Sequence, residues 1–427
     1  DLEIMMKNII KSVKGTRDFY PEEMAKRQWL IEKIRQTSEL FGYEAYDGPC
    51  LETIELYAAK SGEELVKEQA FVFPDRSGEL IALRPELTPT LARMVAAQQN
   101  ALTFPLRWWS FGPFWRYERP QKGRSREFFQ WNIDLIGVEG VEADAELIAV
   151  AATFFRNLGL RPDQVQILVN NRKLMEAELN RIGISAEHRP AILRLIDRID
   201  KQPADVWDEN VLRLGLLPDQ LSSLKALLAN KDLWQQSEEL QALFKQLEAL
   251  GAAEFVAYDP KIIRGLDYYT GTVFEAHDTT GEFRAILGGG HYANLVEDVG
   301  GKPLPGVGFA MGDVVIMLLL EALGLIPEQK RAGKGVLMTV FDAAHLEIAM
   351  RTAARLRDEG VQVILYPEAD KLAKQLKYAD RIGVRCALVI GPDEVAENTA
   401  VIKDLAARQQ ESVPMQALVE RVKNLLA

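Results

Sequence analysis

The stretch Trp115-Arg116-Tyr117-Glu118-Arg119-Pro120-Gln121-Lys122-Gly123-Arg124-Ser125-Arg126-Glu127-Phe128-Phe129-Gln130-Trp131 sets the terms for the rest of the chain. It gathers five cations among aromatic residues, in a protein whose formal charge is -11 from 51 basic and 62 acidic residues. An apolar segment with strand-forming content, Leu106 to Trp115, leads into it, and another, Trp131 to Val138, leads out. Two strands joined by a long cationic loop predict a hairpin too large for a tight turn, and loops of that size usually carry function. Guanidinium groups there suit phosphate, because their planar fork donates two parallel hydrogen bonds. A solvated, charged hairpin tip is the plainer alternative, but it gives the flanking rings no work in stacking or packing.

Composition sets the outer bounds. At 427 residues the chain exceeds one ordinary core, which predicts two or three domains. With 48% hydrophobic and 26% charged residues it is a globular composition, not a disordered one. A nucleic-acid partner has to be held by a local basic patch, since the acidic remainder repels it. Cys50 and Cys386 are the only cysteines, which excludes a disulfide scaffold and a cysteine-rich zinc site and fits a reducing cytoplasm. His188, His277, His291 and His345 show no metal-ligand spacing, so no resident metal is expected. No apolar run is long enough to cross a bilayer, and Asp1-Leu2-Glu3-Ile4 lacks the features of a signal peptide, so a cytoplasmic enzyme without a membrane partner is expected.

Along the chain, Pro21 with Glu22 and Glu23 marks a helix start, and apolar residues recur at helical spacing from Met24 to Phe41, before Gly42. Tyr43 to Leu51 reads as a strand interrupted by Pro49, and Leu80 to Leu83 as a short strand before a helix bearing Leu91, Met94 and Val95. Ala143 to Leu158 is an amphipathic helix closed by Gly159, and Val165 to Val169 a strand. Lys173 to about Leu250 is helical by period and interrupts a sheet-based domain, whose strand signals resume at Phe255. Val273–Ala276 and Phe283–Leu287 predict a hairpin with the Gly288-Gly289-Gly290 run after it, and Val314 to Leu323 a helix. Past a polar linker, 328–334, strands alternate with helices, which predicts a small α/β domain with a mostly parallel sheet over 335–427.

Four stretches together resemble the histidyl-tRNA synthetase family of class II aminoacyl-tRNA synthetases. They are Lys14-Gly15-Thr16-Arg17-Asp18; Arg84-Pro85-Glu86-Leu87-Thr88; Arg116 through Gln130, similar to motif 2; and Arg264-Gly265-Leu266-Asp267-Tyr268-Tyr269 with Thr272-Val273-Phe274-Glu275, similar to the histidine-specific signature. The resemblance implies an α+β fold over 1–327. That core is a six-stranded antiparallel sheet with flanking helices and a helical insertion at about 172–252, and an anticodon-binding-like α/β domain follows the linker. Gly42 to Leu51 would be motif 1, which implies a homodimer. The implied chemistry is activation of L-histidine by ATP, with Mg²⁺, to histidyl-adenylate, followed by transfer to the 3′ end of tRNA(His).

Residue by residue, the resemblance implies that Arg116 holds the α-phosphate and that Arg264 reaches it from the opposite side, with Glu118 also on the ATP. It gives the histidine ammonium to Glu86 and Thr88, a carboxylate and a hydroxyl for three donors. Gln130 orients the amino acid, Asp134 stands where the family has a glutamate facing the imidazole, and Tyr268 and Tyr269 wall the side-chain pocket. Arg116, Arg264 and Gln130 are thus the candidate catalytic residues. For Arg264 the plain alternative is an ion pair with Asp267 or another neighbour, and for the tyrosines core packing. Arg119, Lys122, Arg124 and Arg126 would serve ATP or the tRNA end.

Two departures stand out. After Gly308-Phe309-Ala310-Met311-Gly312 comes Asp313-Val314-Val315, where the family's motif 3 carries an arginine on adenine and the γ-phosphate. The family's Gly-Gly-Arg-Tyr-Asp element is Gly289-Gly290-His291-Tyr292-Ala293, which predicts a charge pair missing from the pocket wall. The alternative function is a non-catalytic histidine-sensing regulatory subunit of ATP phosphoribosyltransferase, a paralogue that typically lacks the C-terminal domain; a binding module with neither activity is a third.

Overall fold

Pro21 opens helix α1 (Pro21–Leu40) in the computed structural model, with Glu22 and Glu23 in its first turn. Proline loses nothing at a position whose N–H is unpaired anyway, and the acids face the positive end of the helix dipole. Leu30 and Ile34 are its fully buried apolar contacts, and Gly42, at φ 77°, turns the chain out. The structure describes residues 10–60, 69–119, 123–264, 269–294, 296–328 and 335–426.

The segment expected as one strand from Tyr43 to Leu51 is two. Strand β1 (Glu44–Ala45) joins the edge of the main sheet and β2 (Leu51–Thr53) a small one. Between them the buried Arg84 guanidinium takes the Asp47 carboxylate at 2.7 Å and the Gly48 carbonyl at 2.9 Å, and Pro49 has no N–H for a ladder. Helix α2 (Ile54–Lys60) follows, then β3 (Phe71–Pro74), β4 (Leu80–Leu83) and helix α3 (Thr88–Gln98). The small sheet has the order β2-β4-β3.

The main sheet continues with β5 (Leu106–Trp115), β6 (Glu127–Ile136), β7 (Val165–Asn171), β8 (Val256–Tyr258), β9 (Tyr269–Asp278), β10 (Leu287–Tyr292) and β11 (Gly306–Gly312). Its order is β1-β5-β6-β11-β10-β9-β7-β8, eight strands. The antiparallel body runs from β5 to β7, and one parallel strand is added at each edge. Strand β6 starts at Glu127, ahead of the expected Trp131, so the cationic loop is only 116–126.

Helix α4 (Val141–Asn157) covers one face of this sheet, with Phe154 packed 4.9 Å from the Trp131 ring. Between β7 and β8 come the inserted helices α5 (Arg172–Arg181), α6 (Arg189–Ile196), α7 (Ala204–Arg213), α8 (Pro218–Ala229) and α9 (Glu238–Ala249). Helix α10 (Asp313–Ala322) leaves the end of β11.

The expected strand Phe283–Leu287 is corrected. The strand is Leu287–Tyr292 and contains the glycine run, which antiparallel pairing with β9 and β11 holds extended. Glycine has no intrinsic preference for a strand, so only its neighbours reveal it.

The chain divides into two compact units at Pro327/Glu328. The second contains β12 (Val336–Met338), helix α11 (Leu346–Asp358), β13 (Val363–Leu365), helix α12 (Leu372–Ile382), β14 (Cys386–Val389), helix α13 (Pro392–Glu397), β15 (Thr399–Asp404), β16 (Gln409–Pro414) and helix α14 (Leu418–Leu426). Its sheet order is β13-β12-β14-β15-β16. The first three strands are parallel, as alternation with helices requires, but β15 and β16 form an antiparallel hairpin, so the sheet is mixed.

Candidate active site

Strand alternation sorts β6 into two sets. Trp131, Ile133 and Leu135 are buried in the core. Gln130, Asn132 and Asp134 face the other way, and the register opposes Gln130 to Gly112 and Gly312, Asn132 to Ser110 and Ala310, and Asp134 to Trp108 and Gly308. Beyond β11, Gly288 lies between Ala310 and Glu275, and Gly290 between Gly308 and Val273. Small residues on two adjacent strands leave a trough on this face. Side chains from elsewhere use the space: a Cβ on Gly288 would overlap the Arg264 guanidinium, and one on Gly308 the Asp134 carboxylate. A Cβ on Gly290 would lie 2.8 Å from the Tyr269 ring.

Arg116 follows β5 at one flank of the trough. Its Nε donates to the Pro85 carbonyl at 3.0 Å and its guanidinium lies 5.3 Å from the centre of the Phe128 ring. Among the described residues no carboxylate pairs with it. Arg264 comes from the other flank and lies over β10, with Nη1 donating to Glu275 Oε1 at 2.8 Å. The second Glu275 oxygen meets His277 Nε2 at 3.0 Å. Burial opposes the charge on Glu275, but the bond to His277 and the field of Arg264 outweigh it and hold its pKa below the usual value. Arg264 has φ 54°, a left-handed conformation that costs a non-glycine residue energy and collects at functional sites. An ion pair with a neighbour therefore exists, and it fixes the Arg264 guanidinium in the trough.

Around the loop, Glu118 takes Arg124 Nη1 at 2.8 Å, its carbonyl accepts from Arg126 Nε at 3.3 Å, and Arg126 stacks 4.2 Å from the Tyr117 ring centre. Arg119 is exposed, and Lys122 lies outside the described residues. A cavity of about 460 Å³ extends from Arg264 to the inserted helices, where Arg172, Arg189 and Arg194 line it.

The other candidates come from the approach to α3 and its first residue, from β6 and from the start of β9. Glu86 is buried and the half-buried Thr88 opens α3. Gln130 is half-buried, Tyr269 is buried, and Tyr268 lies outside the described residues. Asp134 accepts from the Tyr292 hydroxyl at 2.6 Å. Burial pushes its carboxyl up to about 7, although the Tyr292 bond pulls the other way.

Three residues of this face were not among the sequence candidates. Asn132 is buried with an Nδ2 that has no partner among the described residues, and its place between Gln130 and Asp134 at a spacing of two would have found it. Glu275 and Tyr292 lie within motifs already singled out, but only the register shows what they hold.

The two departures resolve differently. His291 does not line the trough. One residue of alternation puts it on the far face, where Nδ1 lies 2.8 Å from Asp144 of α4, so the pocket wall has not lost a charge pair there. Asp313 accepts the Phe129 N–H at 3.1 Å and pairs with Arg17 at 2.8 Å. The nearby Gly15 carbonyl accepts the N–H groups of Arg126 and Glu127 at 2.8 and 3.1 Å. The Lys14–Asp18 segment thereby ties the start of β6 to the head of α10.

The family model described as Histidyl-tRNA synthetase matches residues 15–313, and that described as Anticodon binding domain matches residues 325–425. The histidine--tRNA ligase of Opitutus terrae is 39% identical, over 98% of this chain and 99% of that one. The chloroplastic/mitochondrial histidine--tRNA ligase of Arabidopsis thaliana is 37% identical, over 95% and 85%. The crystal structure of histidyl-tRNA synthetase from Nostoc sp. PCC 7120 superposes with a TM-score of 0.80 at 25% identity, covering 98% of this chain and 100% of that one.

Proposed function

The chain belongs to the histidyl-tRNA synthetase family and is a histidine--tRNA ligase, and we propose that Arg116 and Arg264 close on the α-phosphate of ATP from opposite flanks of the trough. The observation that carries this is the Arg264 guanidinium, held over Gly288 by Glu275 on the face that presents Gln130, Asn132 and Asp134. The histidine carboxylate oxygen attacks the α-phosphorus, the bond to the β-phosphate breaks, and pyrophosphate leaves. Negative charge spreads over the phosphoryl oxygens in that displacement, so fixed cations lower the barrier by position and electrostatics. The terminal ribose hydroxyl of tRNA(His) then attacks the adenylate carbonyl, and AMP leaves.

Glu86 and Thr88 bind the histidine ammonium, Gln130 orients the amino acid, and Asp134 with Tyr268 and Tyr269 faces the imidazole. A buried carboxyl with one oxygen bonded to Tyr292 favours a side chain with ring donors, because a side chain without them offers the other oxygen no partner. Glu118 holds the loop cation Arg124 beside the nucleotide, and Mg²⁺ enters with ATP as part of that substrate. Arg119, Lys122 and Arg126, with the insertion's Arg172, Arg189 and Arg194, receive the phosphates of the tRNA end. The protein works in the cytoplasm as a homodimer, through α1 and the edge strand β1; no helix among the described residues is long and apolar enough to cross a membrane.

The sensor alternative is not favoured: the relatives from Opitutus terrae and Arabidopsis thaliana, which span nearly the whole chain, are histidine--tRNA ligases, and the anticodon-binding match extends to residue 425. Histidine-dependent exchange of pyrophosphate into ATP tests the assignment. Exchange that depends on histidine, and falls by about 10²-fold or more in Arg116→Ala and in Arg264→Ala, supports it; wild-type protein that binds histidine without exchange contradicts it.

A further inference from the structure

Arg284 stands between β9 and β10, just ahead of the buried Ile286 and Leu287, and its side chain is exposed. It is reached by two segments remote in sequence. A Cβ on Gly123 would lie 3.8 Å from Arg284 Cδ and 3.7 Å from Val315 Cγ2. The tip of the cationic loop, the first turn of α10 and Arg284 therefore converge on one spot. Gly123, at φ 80°, keeps that spot free of a side chain.

The charge at this spot is unbalanced. No acid among the described residues bonds the Arg284 guanidinium, and the charged groups that act on it are Arg124, which repels it, and Glu118, already paired with Arg124 at 2.8 Å. Partial loss of water around it, with the repulsion from Arg124, holds its pKa below the ordinary arginine value. Two guanidinium groups within electrostatic reach of each other and of a single carboxylate leave a net positive charge, which an anion would relieve. Helix α10 contributes no cation here, since it begins Asp313-Val314-Val315 and Asp313 is bound to Arg17.

We propose that Arg284 binds the terminal phosphates of ATP and supplies, from the β9–β10 connection, the cation that the head of α10 lacks. This rests on the assignment of Arg116 and Arg264 to the α-phosphate. With those two at the inner end of the triphosphate, the β- and γ-oxygens extend toward the loop, where Arg284 offers a planar fork for two of them.

Calorimetric binding of ATP and of AMP to the full chain tests it, in wild type and in Arg284→Ala. The variant is expected to lose roughly tenfold to a hundredfold in ATP affinity, the range for one charge-assisted contact, with AMP affinity and the thermal midpoint unchanged. Arg284→Lys keeps the charge without the fork and should fall between. In exchange assays the KM for ATP and for pyrophosphate rises in Arg284→Ala while the KM for histidine stays put. Equal losses for ATP and AMP, or no loss for either, would overturn the proposal. Wild-type protein without histidine-dependent exchange would sink the underlying assignment instead, and the ATP-against-AMP contrast would still decide Arg284.

Discussion

The two faces of β6 carry opposite kinds of residue on one backbone. Trp131, Ile133 and Leu135 are buried against α4 and neighbouring strands, and the Trp131 ring meets Phe154 and Phe309 at 4.9 Å each. Gln130, Asn132 and Asp134 face glycine and alanine across the ladder, and their space is taken by side chains reaching in from other segments. The packed face holds the sheet rigid. On the open face, small residues, a left-handed arginine and a buried carboxyl are tolerated because that rigidity supports them.

The contrast can be broken from either side. Trp131→Ala removes a fully buried indole and is expected to cost about 3–5 kcal/mol of stability, seen as a lower denaturant midpoint, with KM for histidine and ATP unchanged in the folded fraction. Arg116→Ala does the reverse. No carboxylate among the described residues loses a partner, so the midpoint moves little, while kcat for pyrophosphate exchange falls about 10²–10³-fold. Gly288→Ala sharpens the comparison, because its single methyl would displace the Arg264 guanidinium; exchange should fall by up to about 10²-fold in a folded protein.

The smallest effect concerns Asp134. Its carboxyl is raised to about 7 from 3.8, so between those values the folded protein holds a proton that the unfolded chain has released. Stability therefore declines as pH rises from about 4 to about 7 and levels off above. Asp134→Asn removes that slope, which denaturant midpoints at pH 5 and pH 8 would show, and raises the KM for histidine by roughly tenfold.

Much of this was legible in the residues. The hairpin around the cationic loop, helix α1 and the inserted helices follow from apolar period and flanking breakers, and Arg116, Gln130 and Arg264 fall in stretches that resemble a known family. What escaped depended on pairing. Gly288-Gly289-Gly290 carries no strand signal of its own, so its place inside β10 is set by β9 and β11. The residues around His291 point to the pocket wall, but a one-residue alternation sends its ring to Asp144. The split at Asp47-Gly48-Pro49 came from Arg84, more than thirty residues away. Arg284 sits in a connection without periodicity, and only its convergence with Gly123 and Val315 gives it a role.

The central claim is that two guanidinium groups, distant in sequence, act on one phosphorus. A crystal structure of the full chain with histidine and a non-hydrolysable ATP analogue measures it directly. Both Arg116 and Arg264 should donate hydrogen bonds to oxygens of the α-phosphate, with the histidine carboxylate in line for attack. An α-phosphate that meets only one of them, with the other still turned to protein partners, would contradict the account.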